Sequence, residues 1–165
     1  MISRYQIKDR EHLELANDAL KFFRGHIQPF GQNEAGGILL GCVYSNASVL
    51  IEKVTTPDNS DKAGRRFFDR SRKRAQQVVE REWQESSGVR IYLGEWHTHS
   101  EPNPSPSSRD RTMIRNMLRQ TKMHIDFLFL NIVGTQSNWV GIETGTSLRR
   151  LCTLTHSQEA GHFIC

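Results

Sequence analysis

Leu13, Ala16, Ala19, Leu20, Phe23 and Ile27 recur at helical spacing, a stripe that predicts an amphipathic helix over residues 11–25 with its apolar face turned inward. The segment GQNEAGG interrupts that period, and two strand-like runs follow, ILLGCVY and then SVLIEKV. The second is rich in β-branched residues, and the short polar link SNA between them fits a hairpin. The polar stretch TTPDNSDKAGRR reads as a long loop of the kind that carries function. Beyond it, Ala75, Val78, Val79 and Trp83 mark one face of a second helix whose other faces hold Arg72, Lys73, Arg74 and Arg81. ESSG stops that helix and VRIYLGEW is a strand candidate. The three prolines of EPNPSP forbid helix until Ser107, where a third helix opens with Met113, Ile114, Met117 and Leu118 on its buried side. IDFLFLNIV, NWVGIET and LRRLCTLT complete the chain as strand candidates.

This order of elements predicts an α/β domain, an α+β mixed sheet flanked by helices. A chain of 165 residues fits one hydrophobic core, so a single domain is expected over residues 1–155, with 156–165 as a C-terminal tail. With 36% hydrophobic and 24% charged residues the composition is that of a soluble protein. No apolar run approaches the ~20 residues of a membrane span, and the N-terminal segment carries acidic residues without an apolar signal region. A cytoplasmic location and no membrane partner are the expectation. The cysteines Cys42, Cys152 and Cys165 are odd in number and sparse, which argues against a disulfide framework and for free thiols. A net charge of +4 leaves nucleic acid, an acidic protein partner or plain solubility open. The basic run Arg65, Arg66, Arg70, Arg72, Lys73 and Arg74 is best read as a solvated helix face, and nucleic acid is not the expected partner.

The chemistry concentrates in GEWHTHSEPNPSPSSRD. Side chains at i and i+2 of a strand point the same way, so His97 and His99 can project together from the end of the VRIYLGEW strand. A catalytic zinc takes three protein ligands and keeps a position open, so a further ligand is needed. Asp110 on the first turn of the third helix can face back toward the strand end. Taken alone, Ser107 and Asp110 would be a helix-capping pair. A hydrolytic metal site also needs a general base. Spacing does not choose among Glu34, Glu52, Glu95 and Glu101, although Glu34 enters a strand from a loop and Glu95 shares the face of His97.

The string HTHSEPNPSPSSRD, which is His-x-His, seven residues, Ser, two residues, Asp, together with EAGGILLG, resembles the JAMM or JAB/MPN metalloprotease family, and the order of elements is compatible over nearly the whole chain. The resemblance implies an MPN/JAB domain with cytidine-deaminase-like layering and one catalytic zinc ion held by His97, His99 and Asp110. It makes Glu34 the acid/base for the attacking water and Ser107 the donor that steadies the oxyanion. It further implies an isopeptidase or peptidase acting after the C-terminus of a ubiquitin-like or similarly conjugated protein with an extended tail. Ser100 stands where the family commonly has proline, a change expected to alter loop stiffness and leave metal binding intact. More narrowly, the small size and TTPDNSDKAGRRFFDRS look like the bacterial peptidases of anti-phage CBASS operons, which oppose a conjugating enzyme and release a cGAS-like nucleotidyltransferase (CD-NTase). Processing of a ubiquitin-like or sulfur-carrier precursor, a metal-free scaffold of the same fold, and a basic nucleic-acid-binding protein are the alternatives. A second zinc site from Cys152, His156, His162 and Cys165 is not expected, because the spacing fits no closed structural site. Phe67 and Phe68 are expected in the core, and Trp96 on the sheet face opposite His97.

Overall fold

The computed structural model describes residues 3–122 and 124–154. The tail expected at 156–165, with His156, His162 and Cys165, lies outside the described residues. The chain runs β1 (Ser3–Lys8), β2 (Glu11–Leu15), α1 (Asn17–Gly25), β3 (Gly36–Val43), β4 (Val49–Val54), β5 (Lys62–Gly64) and β6 (Phe67–Asp69). It continues with α2 (Arg72–Glu85), β7 (Ile91–Thr98), α3 (Ser108–Gln120), β8 (Leu128–Val133), β9 (Asn138–Glu143), β10 (Leu148–Arg150) and β11 (Cys152–Leu154). Nine strands form one sheet in the order β10-β9-β8-β7-β3-β4-β2-β1-β11, while β5 and β6 pair separately. The sheet is mixed: β7 runs parallel to β8 and β2 parallel to β4, and the other pairings are antiparallel.

Helices cover both faces, as the alternation of apolar positions requires. Ala19 and Phe23 of α1 pack with Leu13, Leu39, Trp96 and Phe129 on one face. Ala75 of α2 and Ile114 of α3 pack with Ile38, Tyr92 and Leu130 on the other. Trp96 is thus on the face opposite His97, as expected, and its indole N–H donates to the Thr55 carbonyl at 3.0 Å.

Five local expectations are corrected. The helix predicted from residue 11 begins at Asn17, because Glu11–Leu15 is a strand. Leu13 fits the helical stripe but also alternates with Leu15 at a period of two, and parallel pairing of Leu13 with Val49 and Leu15 with Ile51 selects the strand. The loop before α2 contains the hairpin β5–β6, and Phe67 and Phe68 lie half-buried on it rather than in the core. On α2 it is Glu82 that turns inward, where it receives hydrogen bonds from Lys53 and Arg90, while Trp83 is 53% exposed. The last apolar segment splits into β10 and β11, which pair with β9 and β1 at opposite ends of the sheet. Cys42 is a free thiol, whereas Cys152 is disulfide-bonded, so the expectation of free thiols fails there.

Among the described residues no helix is long and apolar enough to cross a membrane. The basic run is partly consumed by structure: Arg70 pairs with Glu95 at 2.8 Å and Arg74 with Asp58 at 2.7 Å.

Candidate active site

The site forms where β7 ends between β3 and β8. Gly36 pairs with His97 across the β3–β7 ladder, and His97 pairs with Ile132 of β8. Close approach of the hairpin demands glycine here, since a Cβ on Gly36 would lie 2.4 Å from the Phe68 ring. A bulge in β7 sets the phase of the strand. Gly94, at φ +148°, lies against Phe129 so closely that a Cβ would come 1.9 Å from its carbonyl oxygen. The register shift beside it brings Tyr92 onto the face of Glu95 and His97, although Tyr92 and Glu95 are three residues apart.

His97 and His99 leave the strand end together, as the alternation predicted, with their Nε2 atoms 3.2 Å apart. Asp110 faces both: Oδ1 lies 3.2 Å from His97 Nε2 and Oδ2 lies 3.4 Å from His99 Nε2. The aspartate is aimed by a capping box. Ser107 Oγ accepts from the Asp110 backbone N–H at 3.2 Å, and Asp110 Oδ2 accepts from the Ser107 N–H at 2.7 Å. The capping reading of this pair holds, and the cap orients the Asp110 carboxylate toward the two imidazoles. The proline-rich turn is anchored by the β8–β9 connection, where Thr135 N–H donates to Glu101 O at 2.9 Å and Ser137 N–H to Pro102 O at 3.0 Å. These bonds hold the loop that begins at Ser100.

Glu34, 8% exposed, closes the group. One of its carboxylate oxygens and the ligand atoms of His97 and His99 all lie within 4.8 Å of one another. Burial, joined by the negative charge of Asp110 and opposed by His99 and Arg109, pushes the Glu34 carboxyl up to about 7. Burial acts on Asp110 in the same sense, but hydrogen bonds with His97 and His99 and one from Ser107 overcome it and hold that carboxyl well below the usual range. For His99 burial disfavours the charged ring, yet the carboxylates of Asp110, Glu34 and Glu101 prevail and raise it.

The other glutamates are elsewhere engaged. Glu95 is buried and accepts two bonds from Arg70 Nε, at 2.8 and 2.9 Å, together with one from the Tyr92 hydroxyl. Glu52 pairs with Arg90 at 3.1 Å, and the exposed Glu101 reaches no closer than 3.9 Å to His99 Nδ1. Sequence reasoning missed Thr98 and Gln28, described below. A buried glutamine before a metal-motif strand has no periodic signature that would reveal it.

The donor set suits a small divalent cation. Bonds of about 2.0–2.1 Å to nitrogen and oxygen in a tetrahedral shell place neighbouring ligand atoms about 3.3–3.4 Å apart. The two imidazole nitrogens, 3.2 Å apart, match that spacing, and the two oxygens of Asp110 lie 3.2 and 3.4 Å from one nitrogen each. Two imidazoles and a low-lying carboxylate beside a glutamate poised near neutrality define a candidate metallohydrolase centre. Residues 17–149 match the family described as prokaryotic homologues of the JAB domain, and the chain belongs to that family.

Among curated relatives, a CD-NTase/cGAS isopeptidase of Pseudomonas aeruginosa is 40% identical over 105 residues, 63% of this chain and 66% of that protein. The match thus spans just under two thirds of that relative. A CD-NTase/cGAS isopeptidase of Vibrio cholerae is 33% identical over 117 residues, covering 70% of this chain and 69% of the relative. A probable metalloprotease of Sinorhizobium fredii is 28% identical over 110 residues, 65% and 66% of the two chains. The solution structure of a Desulfitobacterium hafniense protein shares the fold, with a TM-score of 0.57 at 19% identity over 82% of this chain and 87% of that one.

Proposed function

We propose that this protein is a zinc-dependent isopeptidase that releases a CD-NTase from proteins to which its extended C-terminal tail has been joined. It would oppose the conjugating enzyme of the same system, in bacterial anti-phage CBASS defence in the cytoplasm. The observation that carries the chemistry is the convergence of His97, His99 and Asp110 at ligand spacing with Glu34 beside them. The substrate class follows from the likeness to the isopeptidases of Pseudomonas and Vibrio.

In this reading His97, His99 and Asp110 hold the zinc. When bound, the ion supplies a positive charge that acidifies water and polarises the scissile carbonyl. Glu34 takes a proton from the attacking water as its oxygen bonds to the carbonyl carbon. The same carboxyl then delivers that proton to the departing amine nitrogen as the C–N bond breaks, leaving a free tail carboxylate and a lysine amine. An acid near 7 suits both halves of this exchange. Ser107 caps α3 through its oxygen as acceptor, so its hydroxyl proton stays available to donate to the oxyanion. Phe68 on the hairpin lies directly on Gly36.

The test is a CD-NTase joined through its C-terminus to a lysine of an acceptor protein. Purified enzyme releases both partners intact, a chelator stops the release, and added zinc restores it. Release that ignores the chelator, or purified protein without stoichiometric metal, overturns the proposal.

A further inference from the structure

Gln28 lies between α1 and β3 and is 4% exposed. A buried amide needs partners for both its oxygen and its N–H groups, and these partners come from three separate segments. Nε2 donates to the Gln32 carbonyl at 2.8 Å and to the Arg65 carbonyl at 3.4 Å. Oε1 accepts from Thr98 Oγ1 at 3.3 Å. Thr98, fully buried, sits between His97 and His99 and projects to the other sheet face. Its Oγ1 accepts the Ala35 N–H at 2.9 Å while its own N–H donates to the Ala35 carbonyl at 2.9 Å. Glu34 donates its N–H to the Gly64 carbonyl at 2.9 Å, next to the Arg65 carbonyl that Gln28 engages.

The bonds run in one direction, from Ala35 N–H to the Thr98 hydroxyl, from that hydroxyl to the Gln28 oxygen, and from the Gln28 amide to two carbonyls. One side chain thereby ties the loop that carries Glu34, the tip of the β5–β6 hairpin and the residue between the two imidazoles. The hydrogen bonds of both side chains go to each other and to backbone groups. We propose that Gln28 and Thr98 are a positioning pair that holds Glu34 in place over His97 and His99. The functional side of this inference rests on Glu34 being the base.

Two variants address the pair. Gln28→Glu keeps the shape but turns carboxylate oxygens toward the Gln32 and Arg65 carbonyls, and Thr98→Val keeps the shape but removes the hydroxyl. With zinc-loaded protein and the CD-NTase conjugate, each lowers kcat about tenfold or more while KM stays within about threefold. Metal content stays stoichiometric, Thr98→Ser restores the rate, and the double variant is no slower than the worse single one. In Gln28→Glu, whose side chain bonds neither amide, hydrogen exchange at Glu34 and Ala35 speeds up about tenfold. Unchanged kcat and exchange in Gln28→Glu overturn the proposal, as does lost metal or a rise in KM at constant kcat. Should Gln28→Glu fail to fold, the Thr98→Val and Thr98→Ser pair decides by the same rates. If the wild type leaves the conjugate uncut, the isopeptidase reading fails, and the exchange rates of Gln28→Glu still decide for or against the tie.

Discussion

Glu34 and Glu95 are both buried glutamates close to His97, yet their surroundings differ. Glu95, 4% exposed, meets a full positive charge, with the Arg70 guanidinium at 2.8 and 2.9 Å and a tyrosine hydroxyl closing its remaining side. Its charge is matched and its lone pairs are occupied, so its role is to anchor the end of the hairpin segment to β7. Glu34, 8% exposed, is pushed up to about 7 by burial and the nearby Asp110 charge, which His99 and Arg109 offset only in part. Burial by itself does not make a base. Burial raises the Glu95 carboxyl too, against the pull of Arg70; what separates the two is that Glu95 is engaged by Arg70 and Tyr92, whereas Glu34 lies beside the imidazoles.

Variants at these positions separate the two roles, taken in order of their effect on cleavage. Glu34→Gln lowers kcat about 10²–10⁴-fold while zinc remains bound, read from single-turnover cleavage beside metal analysis. A cleavage rate equal to the wild type would strip Glu34 of its role. Ser107→Ala lowers kcat about 10²–10³-fold and removes about 1 kcal/mol of helix-cap stability. Ser107→Asp, which accepts at the helix N-terminus but cannot donate, recovers the stability and not the rate. Recovery of both would reduce Ser107 to a cap.

The pH profile sharpens the contrast further. Glu34 must be ionised to accept a proton, so kcat/KM falls about tenfold per pH unit below its pKa. A bound cation favours the carboxylate, which places this acid limb at or below about 7. An acid limb that lies well above pH 7, or one that persists unchanged in Glu34→Gln, would contradict it. The smallest effect on cleavage belongs to Glu95→Gln, which keeps metal and most of the rate. It leaves the Arg70 charge uncompensated at a cost of about 3–5 kcal/mol, visible in denaturant unfolding. If Glu95→Gln abolished cleavage in a folded, metal-loaded protein while Glu34→Gln did not, the two roles would be exchanged.

Much of the site was legible because its parts are close in sequence. His97 and His99 share a face by strand alternation, and the three-residue spacing of Ser107 and Asp110 is that of a capping box, which the structure contains. What short-range pattern left open was settled by distant partners. Leu13 fitted the helical stripe, yet it and Leu15 belong to a strand that pairs with Val49 and Ile51. Glu34 and Glu95 looked like equal competitors until Arg70, 25 residues from Glu95, claimed one of them.

The chain alone determined which side chains could grip a cation together, since a few covalent bonds and a fixed backbone period set their spacing. Only the tertiary structure decided which glutamate joins them and what holds it there. Charge matching, burial and the Gln28–Thr98 tie depend on segments that folding brings together, in that tie from 70 residues apart.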